Sequence, residues 1–338
     1  VSEPVEISWF GALCDDDYEF LGVPEPTLLS SWGHCRSIVQ TADRNGFDNV
    51  LLPSGYALGI DSTARIGEMW LPQLARQLAT IDQMSGGRLT INIISSDMPG
   101  QSLESAPRYR RTVEYMQGLR ALLDGRRLDQ HGDFVDFDLD PPRIATVSPG
   151  CPPMYFGGFS EAAKDCAAEA ADVFLTWPDT VASVGETIVD MRGRADRFDR
   201  SLRYGLRAHV IVRDTEAEAH AAADRLISKL DDDTGEAIRK KSLDTESVGV
   251  SRQSELREGA DDDGYAEPNL WTGVGRARSG AGAAIVGDPD QVANKLRAYQ
   301  SVGVDAFILS GYTHIAECDL VAKHVLPEIP HSPLRPRL

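Results

Sequence analysis

Short apolar runs alternate with helix-length amphipathic stretches along most of this 338-residue chain, and that alternation leaves few folds open. Val5–Phe10, Asp48–Pro53, Arg88–Ser95, Pro153–Gly157, Asp172–Trp177, Tyr204–Arg213 and Asp305–Ser310 read as strands. Residues 31–45, 71–84, 108–123, 161–171, 181–198, 215–230 and 290–302 read as helices; Ile38, Val39 and Ala42 recur at helical spacing, and Gly46 stops the first helix. Strands separated by helices pair in parallel. The expected fold is therefore an α/β, (β/α)8 TIM barrel, with an inserted mobile loop before the last helix and strand. An open doubly wound sheet is the alternative, but no GxGxxG joins the first strand to the first helix. The strands number one short of eight. Ser54–Trp70 is too short for a strand-plus-helix unit, which takes roughly thirty residues. A missing segment there is preferred to a seven-stranded barrel, whose opened edges would be unpaired. The strands are numbered below with the third place reserved. One domain over 1–338 is expected, with 231–282 as an inserted lid segment and 326–338 as a C-terminal extension ending in a proline-rich stretch that cannot sustain a helix. That tail is expected to be disordered or to reach over a neighbouring subunit.

Composition narrows the function. The formal charge of −18 argues against nucleic acid or an anionic membrane as partner. It also means that an anionic ligand must be held by local positive groups. No apolar run reaches the length of a membrane span. The first residues, Val1-Ser-Glu-Pro-Val-Glu-Ile7, lack the basic-then-apolar pattern of a signal peptide. Cys14, Cys35, Cys151, Cys166 and Cys318 are scattered and odd in number, with no metal-binding spacing. No metal is expected, and a reducing cytoplasm is the simplest compartment.

In a barrel, the C-terminal ends of the strands and the loops that follow build the site. Those positions hold Cys14 and Asp15; Ser54, Gly55 and Tyr56; Ser95, Ser96 and Asp97; Gly157, Gly158 and Ser160; Trp177; and Gly311, Tyr312 and His314. Arg207 and His209 lie two apart in the seventh strand and so share a face, with Leu206, Ala208 and Val210 on the other. An inward Arg–His pair fits that alternation better than an outward pair bridged to helix carboxylates. Phe156-Gly-Gly-Phe-Ser-Glu161 suits a phosphate: glycines admit close backbone N–H groups, and a helix N-terminus follows. The same residues also suit a simple strand-to-helix loop. Asn269–Asp288 places Arg276 and Arg278 among Gly273, Gly275, Gly280 and Gly282. Flexible arginines of this kind can swing onto an anion and shield it from water. The other reading is a surface loop with two solvated arginines. His34, His131, His220, His324 and His331 read as surface residues.

Several segments carry a family resemblance. They are Ala75-Arg-Gln77 with Ile81–Arg88, Arg108-Tyr109, Pro153–Gly158, Leu175-Thr-Trp177, Gly205–Val212, Leu226–Asp232, Ser247-Val-Gly249, Asn269–Asp288 and Ile308–Tyr312. Together they resemble the bacterial luciferase-like superfamily of flavin-dependent monooxygenases and look closest to its two-component, FMNH2-dependent alkanesulfonate branch. The resemblance implies that an NAD(P)H-dependent flavin reductase supplies reduced FMN. Oxygen then gives a peroxyflavin that cleaves a carbon–sulfur bond to sulfite and an aldehyde. It implies that Arg207 binds the sulfonate or stabilises the peroxy anion and that His209 donates a hydrogen bond or shuttles a proton. Trp177 and Tyr312 would line the pocket, Arg278 with Arg276 would close over the substrate, and Tyr109, Gly157, Gly158, Ser160 and Ser95 would hold FMN. A homodimer or homotetramer is implied likewise. This sequence departs from the branch at Leu58, where a cysteine is usual, and at Cys14, where a histidine is usual. Both positions belong to the substrate end, which points to a larger or more polar sulfonate such as the sulfo-sugar sulfoquinovose. The alternatives are a luciferase-like enzyme using a deazaflavin, a sulfone or an amine, and a non-catalytic flavin-binding protein.

Overall fold

The computed structural model describes residues 3–11, 21–23, 32–52, 71–95, 103–147, 150–231, 233, 235, 247–276 and 282–334. The elements in chain order are β1 (Glu6–Phe10), α1 (Trp32–Arg44), β2 (Asn49–Leu51), α2 (Leu71–Ser85), β3 (Ile91–Ile93), α3 (Ser105–Leu123), β4 (Leu128–His131) and β5 (Asp136–Leu139). There follow β6 (Met154–Gly157), α4 (Glu161–Ala170), β7 (Val173–Thr176), α5 (Val181–Asp196), β8 (Arg203–Val212), α6 (Glu216–Leu226), α7 (Val248–Glu258) and β9 (Tyr265–Glu267). The last are β10 (Leu270–Trp271), β11 (Ala284–Gly287), α8 (Pro289–Ser301), β12 (Ala306–Ser310) and α9 (His314–His324). They fall into two compact units, one of residues 1–63, 176–189 and 204–332, the other of 64–175, 190–203 and 333–338.

The first unit is built on a sheet of order β2-β1-β12-β8-β11-β10-β9. Pairing is parallel from β2 through β11 and antiparallel beyond. Its register sorts side chains by chemistry. Ile7, Trp9, Phe307, Leu309, Leu206, Ala208 and Val210 share one face and are almost wholly buried. Each large one contributes roughly 1.5–3 kcal/mol by leaving water. The opposite face carries Glu6, Ser8, Phe10, Arg207, His209 and Ser310, because Ser8 lies beside Ile308, Ile308 beside Arg207, and Ser310 beside His209. The helices start where their sequences cap them. Thr215 and Glu218 form a capping box on α6; Asp288 and Gln291 form another on α8, with Pro289 in its first turn.

The second unit holds the parallel strands β3-β6-β7. Asp172 fixes the approach to β7: its carboxylate accepts the Met154 N–H at 2.8 Å and an Arg120 Nη2 contact at 2.9 Å. Arg194, nearly buried, meets Glu161 at 2.6 Å, Asp165 at 2.7 Å and Asp190 at 2.9 Å, tying α5 to α4.

The parallel α/β expectation is met in both units, with several corrections. Residues 124–150, which the sequence reading leaves without elements, contain the antiparallel hairpin β4–β5. Its acidic residues mask the alternation, and its order comes from Arg127 meeting Asp138 and Asp140 and from Glu114 accepting the Phe134 and Val135 N–H groups. The stretch 269–288 was expected to be flexible. It contributes buried β10, a buried 3-10 turn at Gly273–Arg276 and β11, whose Ala284–Gly287 pair with His209–Val212. Residues 277–281 lie outside the described residues. The tail is packed as far as it is described: Val5 donates to Pro330 O and accepts from Ser332 N–H, and His331 Nδ1 lies 3.0 Å from the buried Asp48 carboxylate. His331 is therefore no surface residue, and the His324 side chain is only 12% exposed. His131, by contrast, is exposed.

Candidate active site

Strand β8 carries the centre of the first unit's cluster. Arg207 is half-buried, and its guanidinium carbon stands 4.5 Å from the centroid of the Phe10 ring at the end of β1. A guanidinium over an aromatic face keeps its charge and its donor fork while losing mobility. His209 is 5% exposed. Its Nδ1 lies 2.9 Å from the Ser310 hydroxyl, and Ser310 is fully buried on β12. The Tyr312 ring stacks on His209 at 5.4 Å, and the buried His314 ring lies 5.5 Å beyond Tyr312. The main chain ties this cluster to the glycine-rich segment, because the His209 N–H donates to Ala283 O.

A second group in the same unit surrounds Trp177, half-buried just after β7. The next carbonyl, of Pro178, accepts from Gln253 Nε2 at 2.7 Å. Arg276 ends the 3-10 turn and is half-buried. Arg278, Cys14 and Leu58 lie outside the described residues. A cavity of about 310 Å³ opens beside Tyr312, bounded also by Ile211, Arg213, Leu226 and Glu317, and neither Arg207 nor His209 lines it. Burial raises the Glu317 carboxyl above its ordinary value, while the paired Arg213 guanidinium, at 2.6 Å, works against that rise.

The second unit gathers the other predicted residues. Gly157 ends β6 and Ser160 caps α4, its hydroxyl accepting the Ala163 N–H at 3.2 Å. A Cβ on Gly158 would stand 2.6 Å from Ala163 Cβ and 3.8 Å from the Tyr109 hydroxyl, so glycine is what allows the turn to lie against the helix start. The Tyr109 ring meets Phe156 edge-on at 6.2 Å. One turn along α3, Thr112 Oγ1 lies 2.9 Å from Ser95 Oγ. Helix N-terminal N–H groups, a serine and a phenol match the donor set that a cofactor phosphate needs. The residues present therefore fit a phosphate-bearing cofactor.

Sequence reasoning gathers Arg207, His209, Tyr312, Trp177, Arg276, Tyr109, Gly157, Gly158, Ser160 and Ser95 into the site of one barrel; the first five fall in the first unit and the other five in the second. It gave no role to Ser310, Phe10 or Gln253. Ser310 and Phe10 could have been found from strand register, since Ser310 opposes His209 once β12 and β8 are paired. Gln253 carries no sequence signal, because it acts across a turn of chain far from it. The buried Cys166 and Cys318 thiols are pushed up to about 12, chiefly by desolvation, which makes them inert packing groups.

The Luciferase-like monooxygenase family model matches residues 72–306. A sulfoquinovose monooxygenase of Novosphingobium aromaticivorans is 58% identical over 354 positions, covering 97% of this chain and 98% of the relative. That alignment is longer than the 338 residues of this chain, so the relative carries residues that this chain lacks. A sulfoquinovose monooxygenase of Agrobacterium fabrum is 44% identical, covering 98% and 92%. Among solved structures, a riboflavin lyase with modified FMN and its substrate riboflavin superposes with a TM-score of 0.78 at 14% identity, covering 99% of this chain and 94% of its own; this likeness shows a shared fold.

Proposed function

Because this chain belongs to the luciferase-like monooxygenase family, we propose that it uses FMNH2 and O2 to cleave the carbon–sulfur bond of an organosulfonate, with sulfoquinovose as the substrate. One oxygen atom goes to the carbon that bore sulfur and the other leaves as water. The products are an aldehyde and sulfite. Bound reduced FMN supplies the two electrons that activate oxygen, and an NAD(P)H-dependent flavin reductase replenishes it. The observation that carries the reading is the buried cluster on β8 and β12, together with relatives at 58% and 44% identity over nearly the whole chain.

The residues divide the work. Arg207, steadied by Phe10, binds the sulfonate through forked hydrogen bonds and supplies the local positive charge that a chain of charge −18 must provide. His209, tied at Nδ1 to Ser310, holds or moves a proton on its imidazole. Trp177 and Tyr312 form apolar walls that exclude water. Arg276 and Arg278 complete the anion site, and Cys14 and Leu58 shape its sugar end. Tyr109, Gly157, Gly158, Ser160 and Ser95 hold the FMN phosphate. Homodimer or homotetramer assembly is part of the same reading.

Sulfite release tests it. Purified protein with FMN, a flavin reductase, NADH and oxygen is offered sulfoquinovose and a panel of alkanesulfonates. Sulfite from sulfoquinovose in preference to the alkanesulfonates is the expected result. Tight binding of reduced FMN with no sulfite from any member would refute it.

A further inference from the structure

Helix α7 bears on the glycine-rich segment in a way that its place in the sequence does not suggest. Gly275 and Gly282 bring the chain on either side of 276–281 into backbone contact. A Cβ on Gly282 would stand 2.8 Å from Gly275 Cα, and one on Gly275 would stand 3.1 Å from Gly282 O. The contact is a neck, and two side chains of α7 grip it. Arg257 Nη1 donates to Gly275 O at 2.9 Å on the inbound side. Gln253 Oε1 accepts the Gly282 N–H at 3.1 Å on the outbound side.

Gln253 does more than hold the neck. Its Nε2 donates to Pro178 O at 2.7 Å, so one buried amide joins the turn after Trp177 to the glycine at the base of the arginine segment. The residue after Gly282 is Ala283, whose carbonyl accepts the His209 N–H. One turn of α7 thus fixes Trp177 relative to the strand beside His209 and, through Gly275, the position from which Arg276 departs. Arg252 reinforces it with contacts to Asp179 at 3.0 Å and to the Ser183 hydroxyl at 2.9 Å. An amide satisfied on both ends in a buried position is costly to replace by either an apolar or a charged group.

We propose that Gln253 is a positioning residue for the sulfonate end of the site, clamping the neck of the arginine segment to the Trp177 turn so that Arg276, Trp177 and His209 keep a fixed mutual geometry. The inference rests on the monooxygenase reading above. It predicts a division of labour between the two ends of the ligand: loss of the clamp impairs handling of the sulfonate and leaves flavin binding untouched.

The test uses this chain, with a flavin reductase added. Gln253→Met removes both hydrogen bonds. Gln253→Glu keeps the acceptor for Gly282 and loses the donor for Pro178. Gly282→Ala spreads the neck with every side chain of α7 left unsubstituted. All three should raise KM for sulfoquinovose about tenfold or more and increase the hydrogen peroxide formed per NADH. The dissociation constant for reduced FMN should stay within twofold, and trypsin should cut faster after Arg276. Wild-type turnover with unchanged KM, coupling and tryptic rate in the variants would overturn the clamp. So would a loss of flavin affinity in step with KM, which is the mark of a merely structural residue. If the wild type released no sulfite, the monooxygenase reading itself would fall, and the tryptic rate would still report on the clamp.

Discussion

The Ser310–His209 contact allows a quantitative prediction. Ser310 is fully buried, His209 is 5% exposed, and the Ser310 hydroxyl is 2.9 Å from Nδ1. Replacing Ser310 by alanine removes that partner where water does not reach it. A buried polar atom that loses its hydrogen bond costs about 1–3 kcal/mol, and the void left by one oxygen adds little. For a chain of this size the loss should lower Tm on the order of 2–5 °C. Catalysis should suffer as well, because the bond selects both the tautomer and the ring orientation of His209. A loss of roughly 1.4–2.8 kcal/mol in transition-state stabilisation corresponds to a fall of about 10- to 100-fold in kcat/KM. The assay is sulfite release against sulfoquinovose concentration, with pH profiles of wild type and Ser310→Ala compared. The expected outcome is a depressed kcat and a displaced limb of the kcat profile, at unchanged affinity for reduced FMN. If Ser310→Ala keeps kcat/KM within twofold across the pH range while showing the Tm loss, the bond is structural and His209 does not work through it.

Three other outcomes follow from the geometry. Arg207→Ala should abolish sulfite release while reduced FMN still binds, as read by fluorescence titration; retained turnover would remove Arg207 from the site. Gly158→Ala pushes a methyl to 2.6 Å from Ala163 Cβ, so reduced FMN should bind at least tenfold more weakly; unchanged binding would separate this turn from the phosphate. Arg194 lowers the Glu161 carboxyl through a hydrogen bond; for Asp190, burial pushes upward, but Lys164 and Arg194 outweigh it and the net shift is downward. Depressed folded-state values mean that their stabilisation is present above the ordinary carboxylate range, near pH 4, and is lost as pH falls through the lowered values. Arg194→Leu should therefore lessen the dependence of Tm on pH below about 5; a slope identical to wild type would contradict the assignment.

The alternation of apolar runs and helical patterns made the parallel α/β arrangement legible without coordinates, because period and connectivity are local properties of a chain. The same is true of the pairing of Arg207 with His209, which needs only the two-residue repeat of a strand, and of the caps at Thr215 and Asp288, which are read over four residues. The β4–β5 hairpin escaped because its acidic strands are ordered by Arg127 and Glu114 from outside the hairpin residues themselves. The order in 269–288 escaped for a related reason. Glycine content signals conformational freedom, and freedom can serve close packing as well as movement: Gly275 and Gly282 are small so that two backbones can touch.

Between Pro53 and Leu71 the sequence alone shows too few residues for a complete strand–helix unit, and the 354-position alignment of a 338-residue chain is in keeping with residues absent from this chain. The family, the parallel α/β pattern and the shared strand face of Arg207 and His209 were thus determined by the sequence, since each depends on residues near one another in the chain. Which partners those residues have was decided by tertiary structure alone. Ser310 reaches His209 across 101 residues, Gln253 reaches Pro178 across 75, and His331 reaches Asp48 across 283. Contacts at such separations are set by sheet register and helix packing, which no local pattern encodes.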